Sequence, residues 1–186
     1  MLRTFRVPCE GHTLVGGILG TGQAVDLLIL HGAGQACRER FRAMREEFWA
    51  AGITSAAFDC IGHGETGGCL KTSSLESRTA QACRVLETLT LAPAFSILGA
   101  SMGGYTAVRL TERIPVASLL LLGPAMYAAE AYAVPFNGGF TEILRRPGSW
   151  EDSDAWELLS RFAGRLLIVA GERDTVIPPG VIRRIH

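Results

Sequence analysis

The chain has 186 residues, a length that suits one domain, and its 48% hydrophobic and 19% charged residues are a globular balance able to build a sizeable core. Eighteen Lys and Arg offset eighteen Asp and Glu, so no charge excess recommends nucleic acid as a partner. The amino end has a positive flank, but Arg6, Pro8, Glu10 and His12 interrupt any signal-peptide core, and no apolar run approaches the roughly 20 residues that span a bilayer. A soluble, cytoplasmic protein without a membrane span is expected. Five cysteines, an odd number with no Cys-x-x-Cys pair, suggest neither a disulfide framework nor a zinc site. No metal or other cofactor is expected.

In chain order, Thr4 to Val7 and Thr13 to Leu19 flank Cys9-Glu10-Gly11-His12 and predict an antiparallel hairpin. Short apolar runs follow at Asp26–Leu30, Ile53–Phe58, Phe95–Leu98, Ser118–Leu122 and Leu166–Ala170, each ending at Gly, Asp or His. Strands buried on both faces read this way. Between them, Glu39–Ala51 places Phe41, Met44, Phe48 and Trp49 near helical spacing. Leu75–Leu89 does so with Leu75, Thr79, Ala82, Val85, Leu86 and Leu89, and Met102–Arg113 opens on two glycines and continues with helix formers. The mixed-sign runs Arg38-Glu39-Arg40 and Arg45-Glu46-Glu47 read as a solvated helix face. The alternation of strand and helix predicts an α/β protein with a mostly parallel sheet, an N-terminal antiparallel hairpin and helices on both faces.

Residues 124–160 break the rhythm with Pro124, Pro135, Gly138, Gly139, Pro147 and Gly148 and six aromatic residues. They read as a small cap-like insertion after the sixth strand, either lining a substrate pocket or packing as a lid. The whole chain, 1–186, reads as a single domain.

Four segments carry chemistry. Gly99-Ala100-Ser101-Met102-Gly103 lies between an apolar strand and a helix, where a sharp turn lifts a serine hydroxyl above the end of the sheet and the helix amides point at the reacting centre. His31-Gly32-Ala33-Gly34 follows the strand ending at Leu30. Its Ala33 N–H, paired with that of Met102, can form a two-donor oxyanion hole. His31 and Gly32 are expected to shape this loop. In Asp59-Cys60-Ile61-Gly62-His63-Gly64-Glu65, Asp59 and His63 are expected to organise the loop rather than act in catalysis, and Cys60 borders the site. Asp174, three residues beyond Gly171 at the end of a late strand, stands where a carboxylate that orients a histidine belongs. An ordinary turn at Asp174 is the other reading.

His-Gly-Ala-Gly, Asp-x-x-Gly-His-Gly-Glu and Gly-x-Ser-Met-Gly-Gly together resemble the α/β-hydrolase superfamily, in particular its serine hydrolase branch with monoacylglycerol lipases and small carboxylesterases. The resemblance runs from the hairpin to Asp174. It implies Ser101 as nucleophile, Asp174 as acid, Ala33 and Met102 as oxyanion amides, and a small-molecule acyl substrate. Serine at the turn is unlike the dehalogenases, which use Asp there, and the dienelactone hydrolases, which use Cys. The base departs from the pattern: twelve residues separate Asp174 from His186, and Val181–Ile185 reads as the helix before a strand and helix that are absent. Three readings stay open: a histidine beyond residue 186, His186 itself, or a catalytically impaired or non-enzymatic ligand-binding protein on the same scaffold. A sheet edge exposed in this way invites association, so a homo-oligomer is a further expectation.

Overall fold

The structure, a computed structural model, describes residues 1–185. It begins with a hairpin of β1 (Leu2–Cys9) and β2 (His12–Leu19). Glu10 and Gly11 at its tip both have positive φ, the two-residue turn whose twist suits paired strands. Then come β3 (Val25–Leu30), α1 (Arg42–Ala50), β4 (Ser55–Phe58), α2 (Leu75–Leu86), β5 (Leu91–Ala100), α3 (Met102–Leu110) and β6 (Ser118–Leu122). After α4 (Phe140–Leu144) and α5 (Ala155–Arg161) the chain adds β7 (Arg165–Val169) and α6 (Pro179–Ile185).

The seven strands form one sheet in the order β1-β2-β4-β3-β5-β6-β7. The β1–β2 and β2–β4 pairs are antiparallel; from β4 to β7 every pair is parallel. Side chains alternate between the two faces with period two. Leu28, Leu30, Ala56, Phe58, Ile97, Leu119 and Leu121 pack on one face with residues of α2 and α3. Leu27, Ile29, Ala57 and Leu98 pack on the other against Phe41 and Phe48 beside α1. The chain leaves β3 toward β4 on one side and returns to β5 on the other. This reversal opens a crevice at the carboxyl ends of β3 and β5.

The expected strands and helices are present with shifted ends, but α1 buries a different face from the one its apolar spacing predicts. Met44 is 37% and Trp49 40% exposed, whereas Arg45 is 4% exposed. The cause is backbone polarity: Arg45 donates to Gly17 O at 2.7 Å, Ser55 O at 3.0 Å and Ser55 Oγ at 3.1 Å. A guanidinium hydrogen-bonds these acceptors, which an apolar side chain cannot do. Arg38 is buried as well, its guanidinium held by Asp59 and Glu65. The two mixed-sign runs are therefore solvated only through Glu39, Arg40, Glu46 and Glu47.

The 124–160 segment folds as short helical turns that dock on the start of α2. Glu76 N–H donates to Tyr132 O, and the N–H groups of Phe136 and Asn137 donate to Ser73 O and Lys71 O. No described helix is long and apolar enough to cross a membrane. Arg45→Ala removes three buried hydrogen bonds and is expected to lower unfolding stability by about 1–3 kcal/mol. A urea titration reads this, and an unchanged midpoint contradicts the role given to Arg45.

Candidate active site

The junction of β5 and α3 is the most constrained backbone in the fold. Ser101 has φ 50° and ψ −119°, in the region disfavoured for residues with a Cβ. Three hydrogen bonds hold it there: its N–H donates to Leu122 O at 2.9 Å, and its carbonyl accepts from Gly104 at 2.9 Å and Ala125 at 3.1 Å. The neighbouring glycines are demanded by close approach. A Cβ on Gly99 would stand 2.4 Å from Gly103 O, and one on Gly103 would stand 2.3 Å from Leu30 O. The helix thus sits directly on the ends of β3 and β5, with a half-buried Ser101 at its first turn.

The loop after β3 faces this serine. A Cβ on Gly32 would lie 3.2 Å from Ser101 Cβ and 3.7 Å from Ser101 Oγ. Neither the Ala33 N–H nor the Met102 N–H is engaged in a hydrogen bond among the described residues. His31, 1% exposed, shapes the loop from behind. Its Nε2 accepts from Cys60 N–H at 3.0 Å, so the proton sits on Nδ1, which donates to Gly32 O at 2.7 Å. Burial first, then the nearby Arg78 cation and His63, push its pKa down to about 3. The imidazole is neutral, with both nitrogens engaged.

The loop after β4 buttresses the first. Asp59, buried, accepts from Arg38 N–H at 2.8 Å and Glu65 N–H at 3.1 Å besides pairing the Arg38 guanidinium. Cys60 is buried, and burial raises its thiol pKa. His63 packs its ring 4.5 Å from that of His31 and makes one 3.3 Å contact, from Nδ1 to Ile61 O. Burial and then Arg78 lower its pKa.

Ser101 opens onto a cavity of about 170 Å³ walled by Met126, Tyr127, Leu144, Trp150, Ile177 and Val181 among others. The insertion and the segment after β7 both contribute, so its aromatic residues line a pocket as well as pack on the body. A larger hollow of about 370 Å³, lined by residues 111–116 and 158–164, lies at the amino ends of β6 and β7, opposite the serine. Asp174 follows β7 at the same end of the sheet as Ser101. Its Oδ1 accepts from Val176 N–H at 2.8 Å and Ile177 N–H at 3.0 Å. Those two bonds, Ile177's first, lower its pKa, although the carboxylate is exposed. Its Oδ2 lies 3.6 Å from where a Cβ on Gly123 would stand, beside the residue that follows the acceptor of the Ser101 N–H. Asp174 lines a neighbouring cleft rather than the Ser101 cavity. No described histidine hydrogen-bonds Ser101 Oγ, and His186 lies outside the described residues.

Sequence reasoning missed Arg78 and Gln81. Gln81 Oε1 accepts from Ile61 N–H at 2.8 Å, and Arg78 donates to His31 O at 2.6 Å and Gly32 O at 3.2 Å. Their signal was helical phase: both fall on the stripe of Leu75, Thr79, Ala82, Val85 and Leu86 that α2 buries.

A sheet that delivers a serine in this conformation to a glycine-rich loop at its switch point belongs to one class, and this chain is an α/β-hydrolase. The profile of the serine aminopeptidase S33 family matches residues 23–150, and the chain belongs to that family. No curated protein matches the chain. Among solved structures it is similar to Est1E from Butyrivibrio proteoclasticus with ferulic acid bound, at 17% identity over 97% of this chain and 84% of the other, TM-score 0.76. The thioesterase domain of the curacin biosynthetic pathway matches at 16% identity over 100% and 88%, TM-score 0.76. The esterase EaEST from Exiguobacterium antarcticum matches at 17% over 99% and 87%, TM-score 0.76.

His31 gives a pH test. Its folded pKa lies below the unfolded value, so between pH about 6.5 and about 3 the unfolded chain binds a proton that the folded chain does not. This contribution to stability is lost as pH falls through that window. The stability advantage of the parent over His31→Gln is expected to shrink by up to about 1.4 kcal/mol per pH unit from pH 6.5 to 4. Denaturant midpoints at each pH check this; a constant advantage contradicts it.

Proposed function

We propose that the chain hydrolyses a carboxylic ester, or a related acyl compound, through an acyl-serine intermediate on Ser101. The observation that carries this is the strained Ser101 at the mouth of an apolar cavity, with the uncommitted Ala33 and Met102 amides beside it. A serine hydroxyl is a weak nucleophile at neutral pH until a base takes its proton. A histidine accepts that proton as Oγ attacks the carbonyl carbon, and the oxygen that gains charge sits on the Ala33 and Met102 N–H groups. Collapse releases the alcohol, which takes the proton back from the histidinium. Water then attacks the acyl-serine with the same histidine as base, and the acid leaves. Asp174, its carboxylate kept ionised by two main-chain donors, orients the histidine.

Two of the four histidines, His31 and His63, are buried and hydrogen-bond other partners than Ser101, and His12 lies on β2 next to Gly68. The base is therefore either His186 or a histidine outside this sequence, and both stay open. The esterase and thioesterase among the structural neighbours support acyl chemistry, and the apolar walls support an apolar acyl group. A peptide bond, cleaved with an amine as leaving group, is the competing substrate in keeping with the family's name.

Turnover of a short-chain aryl ester tests the reading. Ser101→Ala is expected to lower kcat by at least about a thousandfold, and His186→Ala does so by a similar factor only where His186 is the base. Undiminished turnover in Ser101→Ala contradicts the nucleophile, and in His186→Ala it contradicts only His186 as the base. Loss with Ser101→Ala also separates an enzyme from a ligand-binding protein on the same scaffold. Trp150→Ala enlarges the cavity, so the ratio of kcat/KM for an octanoyl over a butyryl ester is expected to rise roughly tenfold. An unchanged ratio over a series of acyl chain lengths removes Trp150 from the acyl pocket.

A further inference from the structure

Behind the loop that faces Ser101 lies a cation with no counter-ion among the described residues. Arg78, 2% exposed on α2, has no carboxylate within ion-pair distance among the described residues. Its Nη2 donates to His31 O at 2.6 Å and Gly32 O at 3.2 Å, while Nε and Nη1 have no partner among the described residues. Burying an unpaired guanidinium is costly, and a fold seeking only stability would place an apolar side chain there.

The position of its acceptors gives the arrangement a use. Gly32 O and Ala33 N–H belong to one peptide group, and in a trans peptide they point in opposite directions. Gly32 O accepts from Arg78 and also from the Nδ1 proton of His31, so both its lone pairs are engaged. Hydrogen bonds at the carbonyl draw electron density toward oxygen and make the N–H at the far end a stronger donor. They also fix the plane of the peptide, and with it the direction of the N–H, beside a glycine on which a Cβ would stand 3.2 Å from Ser101 Cβ. We propose that Arg78 is a positioning residue for the reaction, orienting and polarising the Gly32–Ala33 peptide so that the Ala33 N–H binds the oxyanion. The proposal rests on Ser101 being the nucleophile. Arg78 touches no reacting atom; it acts through the peptide.

The test is a double-substitution cycle on the full chain with aryl-ester turnover as readout. Arg78→Met keeps an unbranched stem, and Ala33→Pro removes the N–H through which the effect travels. Arg78→Met is expected to lower kcat roughly tenfold with KM within about twofold, a fraction of the roughly 100- to 1,000-fold cost of deleting an oxyanion donor. Arg78→Lys, which keeps the charge and a donor, recovers part of the loss. In the Ala33→Pro background the Arg78 substitutions change kcat by less than about twofold, because the carrier is gone. Equal losses in both backgrounds, or a loss confined to KM, overturn the proposal and leave the Ser101 reading standing. Turnover that survives Ser101→Ala, or its absence from the parent, fells that reading and this one together. Thermal unfolding of each variant checks folding; if Arg78→Met unfolds, the cycle is read on Arg78→Lys, where a loss independent of Ala33→Pro is again contradictory.

Discussion

The contact of the first turn of α3 with the ends of β3 and β5 is the constraint from which the rest of the site follows. A Cβ at Gly103 would meet Leu30 O at 2.3 Å, so the helix can sit this low only on glycine. Sitting there, it forces Ser101 to φ 50°, a conformation that costs on the order of 1–3 kcal/mol and persists because its surroundings over-determine it. The Leu122 carbonyl and the Gly104 and Ala125 amides supply that determination. The lacing continues outward, since Gly123 N–H donates to Val169 O at 2.7 Å and so ties β6 to β7 just before the segment that carries Asp174. The serine, the main-chain donors and the carboxylate are therefore set at one end of the sheet by backbone contacts, and side chains mainly tune them.

The tuning relies on buried arginines used in different ways. Arg38 is neutralised by Asp59 and Glu65 and cross-links the loop after β4. Arg45 is spread over the carbonyls of Gly17 and Ser55 and closes the gap between α1, β2 and β4. Arg78 holds only carbonyls, and those carbonyls belong to the loop opposite the serine. With His31 neutral between Cys60 N–H and Gly32 O, the wall behind that loop is a buried polar network, where each dipole counts for more than it would in bulk water.

The architecture was largely legible in the sequence because it is written in strong local signals. The run Ser118–Leu122 was bounded correctly, and the glycines around Ser101 announced a turn that only a few side chains tolerate. Charge was the misleading signal. Residues Arg38 and Arg45 sit in mixed-sign runs that resemble a solvated face, yet their acceptors are carbonyls and carboxylates brought in from β2, β4 and the loop beyond it, 10 to 28 residues away in sequence. Arg78 eluded the reading for the same reason: a basic residue on an otherwise apolar helical stripe makes sense only once the loop it supports is folded against it. The cavity walls were legible only as an excess of aromatic residues, because which of them face Ser101 depends on how residues 124–160 fold back over the sheet.

The account stands on Ser101 being a nucleophile by virtue of folded geometry rather than composition. Treating the chain with a fluorophosphonate and mapping the adduct by peptide mass spectrometry tests that most directly. The expected result is a single stoichiometric adduct on Ser101 that fails to form when the protein is unfolded in urea before treatment. A folded sample that takes no label, or one labelled on other serines to the same extent as Ser101, contradicts it.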